Sequence, residues 1–203
     1  MTKPNAVLFD LGNVLVSIHP RAFTAHLGID QDTARKKYRQ QIIETVQRYE
    51  AGQTATAEYL NELEDLFGGS YTKKELTDAM LKVIGEPIPT MDTLVASVAS
   101  ATHVALVSNT NELHFALCKE RLPALARMHE FFLSYKMKTS KPNPLYYEMV
   151  LKKLGTSPNS AVFIDDLEEN VEGARSAGMN GILFTSPKNL QSTLKAMGVN
   201  VRS

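Results

Sequence analysis

Read for its apolar and polar positions, the chain opens with a strand-like run, passes into a long helical stretch, and ends in alternating strands and helices. Val7-Leu8-Phe9 is continuously apolar and stops at Asp10-Leu11-Gly12-Asn13; Val14-Leu15-Val16 follows. From Arg21 the apolar spacing becomes helical. The pattern predicts a short helix over Arg21–Leu27 and a long one over Asp32–Tyr49, with Tyr38, Ile42, Ile43, Val46 and Tyr49 on one face. Ala51-Gly52-Gln53 breaks it, and Thr56 is the expected cap of a helix carrying Tyr59, Leu60, Leu63, Leu66 and Phe67. Thr72-Lys73-Lys74-Glu75 reads as a capping box opening another helix. No strand pattern interrupts Ser17 to about Pro87, so an all-helical insertion is expected there.

Strand and helix alternate from Thr90 onward. Strands are predicted at His103–Val107, Phe131–Ser134, Ala161–Ile164 and Gly181–Phe184. Helices are predicted at Thr90–Ala99, Glu112–Arg121, from Pro144 through Leu154, from the segment after Asp166 to Ala177, and at Asn189–Met197. Pro144 suits a first helical turn, and Gly178 a left-handed stop. The strands are nearly continuous apolar runs, as in a parallel sheet covered on both faces. The expected fold is therefore α/β, with residues 1–16 and 88–203 forming a parallel-sheet core and residues 17–87 a helical cap.

Composition narrows the function classes. Hydrophobic residues make up 43% and charged residues 22%, an ordinary globular balance. The 22 basic and 22 acidic residues cancel, so no global field favours nucleic acid or an anionic membrane surface. No apolar run approaches a bilayer span. The start, Met1-Thr2-Lys3-Pro4-Asn5, leads into a strand without a secretory apolar region, and a cytoplasmic protein is expected. The single cysteine, Cys118, reads as a small apolar residue.

Four strand ends or loops carry the chemistry: Asp10; Ser108-Asn109; Lys141; and Asp165-Asp166, with Asn170 one helical turn on. In a parallel sheet all four approach one edge, where open α/β folds bind ligands. Asp10 beside an acidic pair makes an oxygen site suited to Mg²⁺. Ser108 and Asn109 at a helix N-terminus offer donors to phosphate oxygens. Lys141 neutralises anionic charge and holds Asp10, which is then placed to attack phosphorus. Taken singly, each has a plainer reading: a helix cap, a surface lysine, an acidic first turn.

In that order the segments resemble the haloacid dehalogenase-like (HAD) hydrolase superfamily over nearly the whole chain. Phe9-Asp10-Leu11-Gly12-Asn13-Val14-Leu15 matches its first motif and Leu106-Val107-Ser108-Asn109-Thr110 its second. Lys141-Pro142-Asn143-Pro144 matches the third, and Phe163-Ile164-Asp165-Asp166-Leu167-Glu168-Glu169-Asn170-Val171 the fourth. The resemblance implies a Rossmann-like core with a C1-type helical cap, Asp10 as nucleophile, and Lys141 as the motif lysine. It also implies Mg²⁺ held by Asp10, the backbone carbonyl of Gly12 and the Asp165-Asp166 pair, with Asp166 the direct ligand, since Asn170 stands four residues on. Among the branches, the motifs are most similar to bacterial sugar-phosphate phosphatases of the α-glucose-1-phosphate type. The implied substrate is a small phosphorylated metabolite.

One position departs from the pattern. Most phosphatases of the family have a second aspartate, acting as general acid and base, where this chain has Gly12. Positioned acid–base catalysis is worth roughly 10²–10⁴-fold, so another group must supply it or the rate falls. His19 is one candidate; Arg21 and the Tyr49–Thr54 turn are candidates for contacting the leaving group. A dehalogenase, in which Asp10 attacks carbon, and a weakly active binding or regulatory protein are the alternatives to a phosphatase.

Overall fold

The computed structural model describes residues 3–201. The chain begins with β1 (Ala6–Phe9) and a short ribbon strand, β2 (Val16–Ile18). Then come α1 (Arg21–His26), the single turn α2 (Gln31–Thr33), a π-helical turn over Ala34–Tyr38, α3 (Arg39–Glu50), α4 (Thr56–Leu66) and α5 (Lys73–Leu81). β3 (Ile84–Pro87) returns the chain to the main body. There follow α6 (Met91–Ala99), β4 (His103–Ser108), α7 (Glu112–Arg121), β5 (Glu130–Leu133), the short α8 (Ser134–Met137) and α9 (Pro144–Leu154). The last elements are β6 (Ala161–Asp165), α10 (Glu168–Ser176), β7 (Asn180–Leu183) and α11 (Pro187–Ala196).

Five strands form one parallel sheet in the order β5-β4-β1-β6-β7. The order turns at β1, which opens a crevice beyond its carboxyl end. The pleat sends Val7 and Phe9 to one face, into a core with Leu106, Ile164, Val95 of α6 and Leu194 of α11. Ala6 and Leu8 go to the other, against Tyr146, Tyr147 and Val150 of α9 and Ala174 of α10. Period-two alternation therefore carries on to Asp10 with the α9 side ahead of it. Phe9 is paired with Ile164, so Asp10 and Asp165 end neighbouring strands at the same level and on the same face.

The insertion has an apolar centre of its own: Phe23, Tyr49, Tyr59, Leu63, Phe67 and Leu76, all nearly or fully buried. Tyr49 and Tyr59 stack at 4.3 Å, and the Thr72–Glu75 capping box opens α5 as expected. Its roots differ from the sequence reading. The chain leaves and re-enters the core through an antiparallel ribbon, Val16 opposite Pro87 and Ile18 opposite Ile84, so the insertion is helical but not wholly so. Asp30 caps the long helical segment by accepting the Thr33 N–H, so that segment begins at Gln31 and not at Asp32. Thr56 is no cap: Ala55 holds that position, and the Thr56 hydroxyl instead joins Tyr49 to Glu112 on α7.

Candidate active site

Asp10 lies one residue beyond β1, its backbone N–H bonded to the Ile164 carbonyl at 2.9 Å. The loop before α9 brings Lys141 under it. The Lys141 Nζ donates to Asp10 Oδ1 at 2.7 Å, Asp165 Oδ2 at 2.6 Å and the Val107 carbonyl at 3.1 Å. All three partners sit on the α9 side of the sheet, which is where the pleat placed them. Asp165 is fully buried and Lys141 nearly so. Burial alone would push the lysine down; the two carboxylates outweigh it and hold the ammonium above its ordinary range. Burial pushes the Asp10 carboxyl up to about 6, with Lys141 pulling the other way.

Asp165 spends both oxygens on the protein. Besides Lys141, it accepts the Leu167 N–H at 2.9 Å and the Asn170 amide at 3.0 Å. Asn170 thus serves the lysine-paired carboxylate, not Asp166. Asp166 is half-buried and accepts from Asn13 at 3.0 Å. One carboxylate oxygen from each of Asp10, Asp165 and Asp166 falls within 4.8 Å of the others. Three carboxylates against one ammonium leave two negative charges in a mostly buried place, a costly arrangement without a cation. An all-oxygen donor set with that charge fits Mg²⁺.

Ser108 is buried at the end of β4, beside Asp10 in the same cavity. The Asn109 side chain is committed elsewhere: its amide donates to the Lys141 carbonyl and its oxygen accepts the Lys141 N–H, both at 2.9 Å. It clamps the lysine's backbone. Asn13 and Glu50 were not singled out in the sequence, although Glu50 lies in the Tyr49–Thr54 turn expected to contact the leaving group. Asn13 sits at φ 51, a left-handed position that asparagine tolerates, and its oxygen also takes the Ile18 N–H. It therefore ties Asp166 to the root of the cap.

Glu50 ends α3. Among the described residues it is the only cap carboxylate lining a cavity of about 390 Å³ that also includes Asp10, Gly12, Ser108, Lys141 and Asp166. Burial, aided by the charge of Asp10 and opposed by Lys141 and a hydrogen bond with Asn111, pushes its carboxyl up to about 7. The turn after it rests on the core. Gly52 has φ +67, and a Cβ there would lie 2.1 Å from the Tyr135 carbonyl, while Lys138 donates to the Gly52 carbonyl. Both conditions require glycine. His114 on α7 joins this seat, bonded to Asn111 at 3.1 Å and to the Met80 carbonyl at 2.9 Å. His19 and Arg21 are exposed and do not line this cavity.

Residues 4–178 match the haloacid dehalogenase-like hydrolase family. The chain is 28% identical to D-ribitol-5-phosphate phosphatase of Bacteroides thetaiotaomicron over 85% of its own length and 87% of that protein. It is 25% identical to the sesquiterpene phosphatase astK of Aspergillus oryzae, covering 91% of each. A HAD family enzyme of B. thetaiotaomicron, solved with magnesium and inorganic phosphate, superposes with a TM-score of 0.76 at 25% identity, over 91% of this chain and 96% of that one.

Proposed function

The chain belongs to the haloacid dehalogenase-like hydrolase family, and we propose that it is a Mg²⁺-dependent phosphatase of a small phosphorylated metabolite, working through an aspartyl-phosphate on Asp10. The observation that carries this is Lys141, held between Asp10 and Asp165 with Asp166 left beside them. Similarity to two phosphatases over most of the chain supports the reaction class. A metal-free dehalogenase would leave the surplus negative charge uncompensated.

Asp10, Asp166 and the Gly12 carbonyl are the groups we assign to hold Mg²⁺, which when bound offsets charge on the phosphoryl oxygens. Asp165 we assign to Lys141, since both its oxygens are already engaged. Lys141 keeps Asp10 by Oδ1, so Oδ2 is the oxygen that attacks phosphorus. The bond from phosphorus to the ester oxygen breaks, and that oxygen takes the Glu50 proton. The resulting Glu50 carboxylate then accepts a proton from the water that cleaves the aspartyl-phosphate, releasing phosphate and regenerating the Asp10 carboxylate and the Glu50 acid. Glu50 thus fills, from the cap, the role that Gly12 leaves open. Ser108 contributes a hydroxyl to the phosphate; Asn109 acts through the placement of Lys141.

Phosphate release from an aryl phosphate and a metabolite panel, with and without Mg²⁺, tests the reading. Brief reaction should leave a hydroxylamine-sensitive phosphoryl group on the wild type and none on Asp10→Asn. Full turnover in chelator, or an Asp10→Asn variant as active as the parent, would overturn it.

A further inference from the structure

The catalytic groups supply only part of the lining of the 390 Å³ cavity. The cap and ribbon side of it is mainly apolar, with Ile18 of the ribbon and Phe23, Ile42, Ile43, Val46 and Met80 of the cap, and Gln47 a polar side chain among them. His114 also borders it, but both ring nitrogens are committed, to Asn111 and to the Met80 carbonyl. Two of the four large apolar side chains that the described residues leave exposed, Ile43 at 38% and Leu167 at 49%, flank this same space. Solvent-facing apolar residues gathered at one cavity mark a surface that a ligand covers. A second, polar opening beyond Glu50 is lined by Glu44, Arg48, Gln53 and Glu169. It reaches Lys141 but not Asp10 or Asp166. The cavity that holds Asp10 itself is the one with the apolar wall, so an ester group kept within it meets mostly apolar side chains.

We infer that the substrate is the phosphate monoester of an apolar alcohol, prenyl or aromatic, and not of a sugar or polyol. This rests on the phosphatase reading and sharpens its leaving group. A polyol chain laid along Ile42, Ile43, Val46 and Met80 would give up water hydrogen bonds and find few partners in return. An apolar chain instead gains by removing its surface from water. The cavity volume lies within the usual range of small-molecule sites, about 300–1,000 Å³.

The test compares kcat/KM, with Mg²⁺, for geranyl phosphate, naphthyl phosphate and ribitol 5-phosphate. At least one apolar ester should exceed the polyol by about ten-fold or more, and which one leads tells a flexible chain from a flat ring. The double variant Ile43→Asn/Val46→Thr, changed at the wall, should shrink that ratio about ten-fold by lowering kcat/KM for the apolar esters more than for the polyol. Polyol turnover equal to or above both apolar esters, or a ratio unmoved in a folded double variant, overturns the inference. If no monoester is cleaved, the phosphatase reading fails instead, and equilibrium binding decides the wall. Decylphosphonate should then bind about ten-fold tighter than hydroxyethylphosphonate, and equal affinities reject the apolar site.

Discussion

The floor and the wall of the cavity are built on opposite principles. On the floor, Asp10, Lys141, Asp165 and Asn109 hold one another through hydrogen bonds of 2.6–2.9 Å, each group fixed by at least one buried partner. In the wall, Ile42, Ile43 and Val46 stand half-buried or exposed on α3, with no polar tether to one another. The floor is over-determined because misplacing a buried charge is expensive. The wall is under-determined, since apolar contacts are non-directional and tolerate changes of shape. Chemistry should thus be brittle at the floor, and substrate preference plastic at the wall.

The sharpest way to break the comparison is Lys141→Met. It strands two carboxylates and removes the cation that keeps Asp10 placed. We expect kcat to fall about 10³-fold for every substrate alike. Folding stability without Mg²⁺ should drop by roughly 3–5 kcal/mol, as for one lost partner of a buried ion pair. Denaturant titration with and without Mg²⁺, alongside kinetics, checks both. A variant that merely changed substrate preference would show the floor to be as plastic as the wall.

Glu50→Gln comes next and acts where the two regions meet. Glutamine keeps the shape and the approach to Asn111 but carries no acid. Esters of poorly acidic alcohols should lose about 10²-fold in kcat/KM, whereas nitrophenyl phosphate, whose leaving oxygen needs no proton, should lose little at the phosphorylation step. Equal losses across the series would move Glu50 from proton transfer to simple positioning of the cap.

Legibility in the sequence follows the same division. Asp10, Ser108 and Asp165-Asp166 stood out because a polar residue ending an apolar strand breaks a strong pattern, whereas Lys141, in a loop, was legible through the Lys141-Pro142-Asn143-Pro144 motif. The sheet followed from continuous apolar runs. The ribbon did not: β2 and β3 span Val16–Ile18 and Ile84–Pro87 and are too short for a period to form. Asn109 was read as a phosphate donor, because a helix-start amide gives no hint that a loop beyond residue 140 will claim it. Glu50 was legible only as part of the Tyr49–Thr54 turn expected to contact the leaving group, not as an acid. Its one clue was a negative charge on the last residue of α3, where the helix dipole disfavours it, two places before the glycine that ends the turn. The wall could not be separated from ordinary cap core, since Ile42 and Val46 share one helical stripe with Tyr49, which is buried.

The smallest expected effect tests whether floor and wall can trade places at Gly12. A Cβ on Gly12 would meet Ile18 Cγ1 at 2.9 Å, so a wall residue occupies the space that a carboxylate at this position would enter. Gly12 has no positive φ, and the obstacle is a side chain, not backbone. Gly12→Asp alone should therefore push Ile18 aside and cost stability, while Gly12→Asp/Ile18→Ala makes room. Placed in the Glu50→Gln background, the new aspartate supplies a proton donor from the floor. We expect it to restore several-fold of the lost kcat/KM for alkyl esters and nothing for nitrophenyl phosphate, well short of the roughly 10²–10⁴-fold available to a well-placed acid. Recovery is partial because the aspartate arrives beside Asp10 and Asp166, where like charges raise its pKa and compete for the same cation. Ile18→Ala in the Glu50→Gln background is the control, since widening the wall alone should change substrate preference and leave the leaving-group dependence as steep as before. If that control restores alkyl esters as well as the variant with the aspartate, the gain comes from space and not from a proton, and the acid role assigned to Glu50 falls with it.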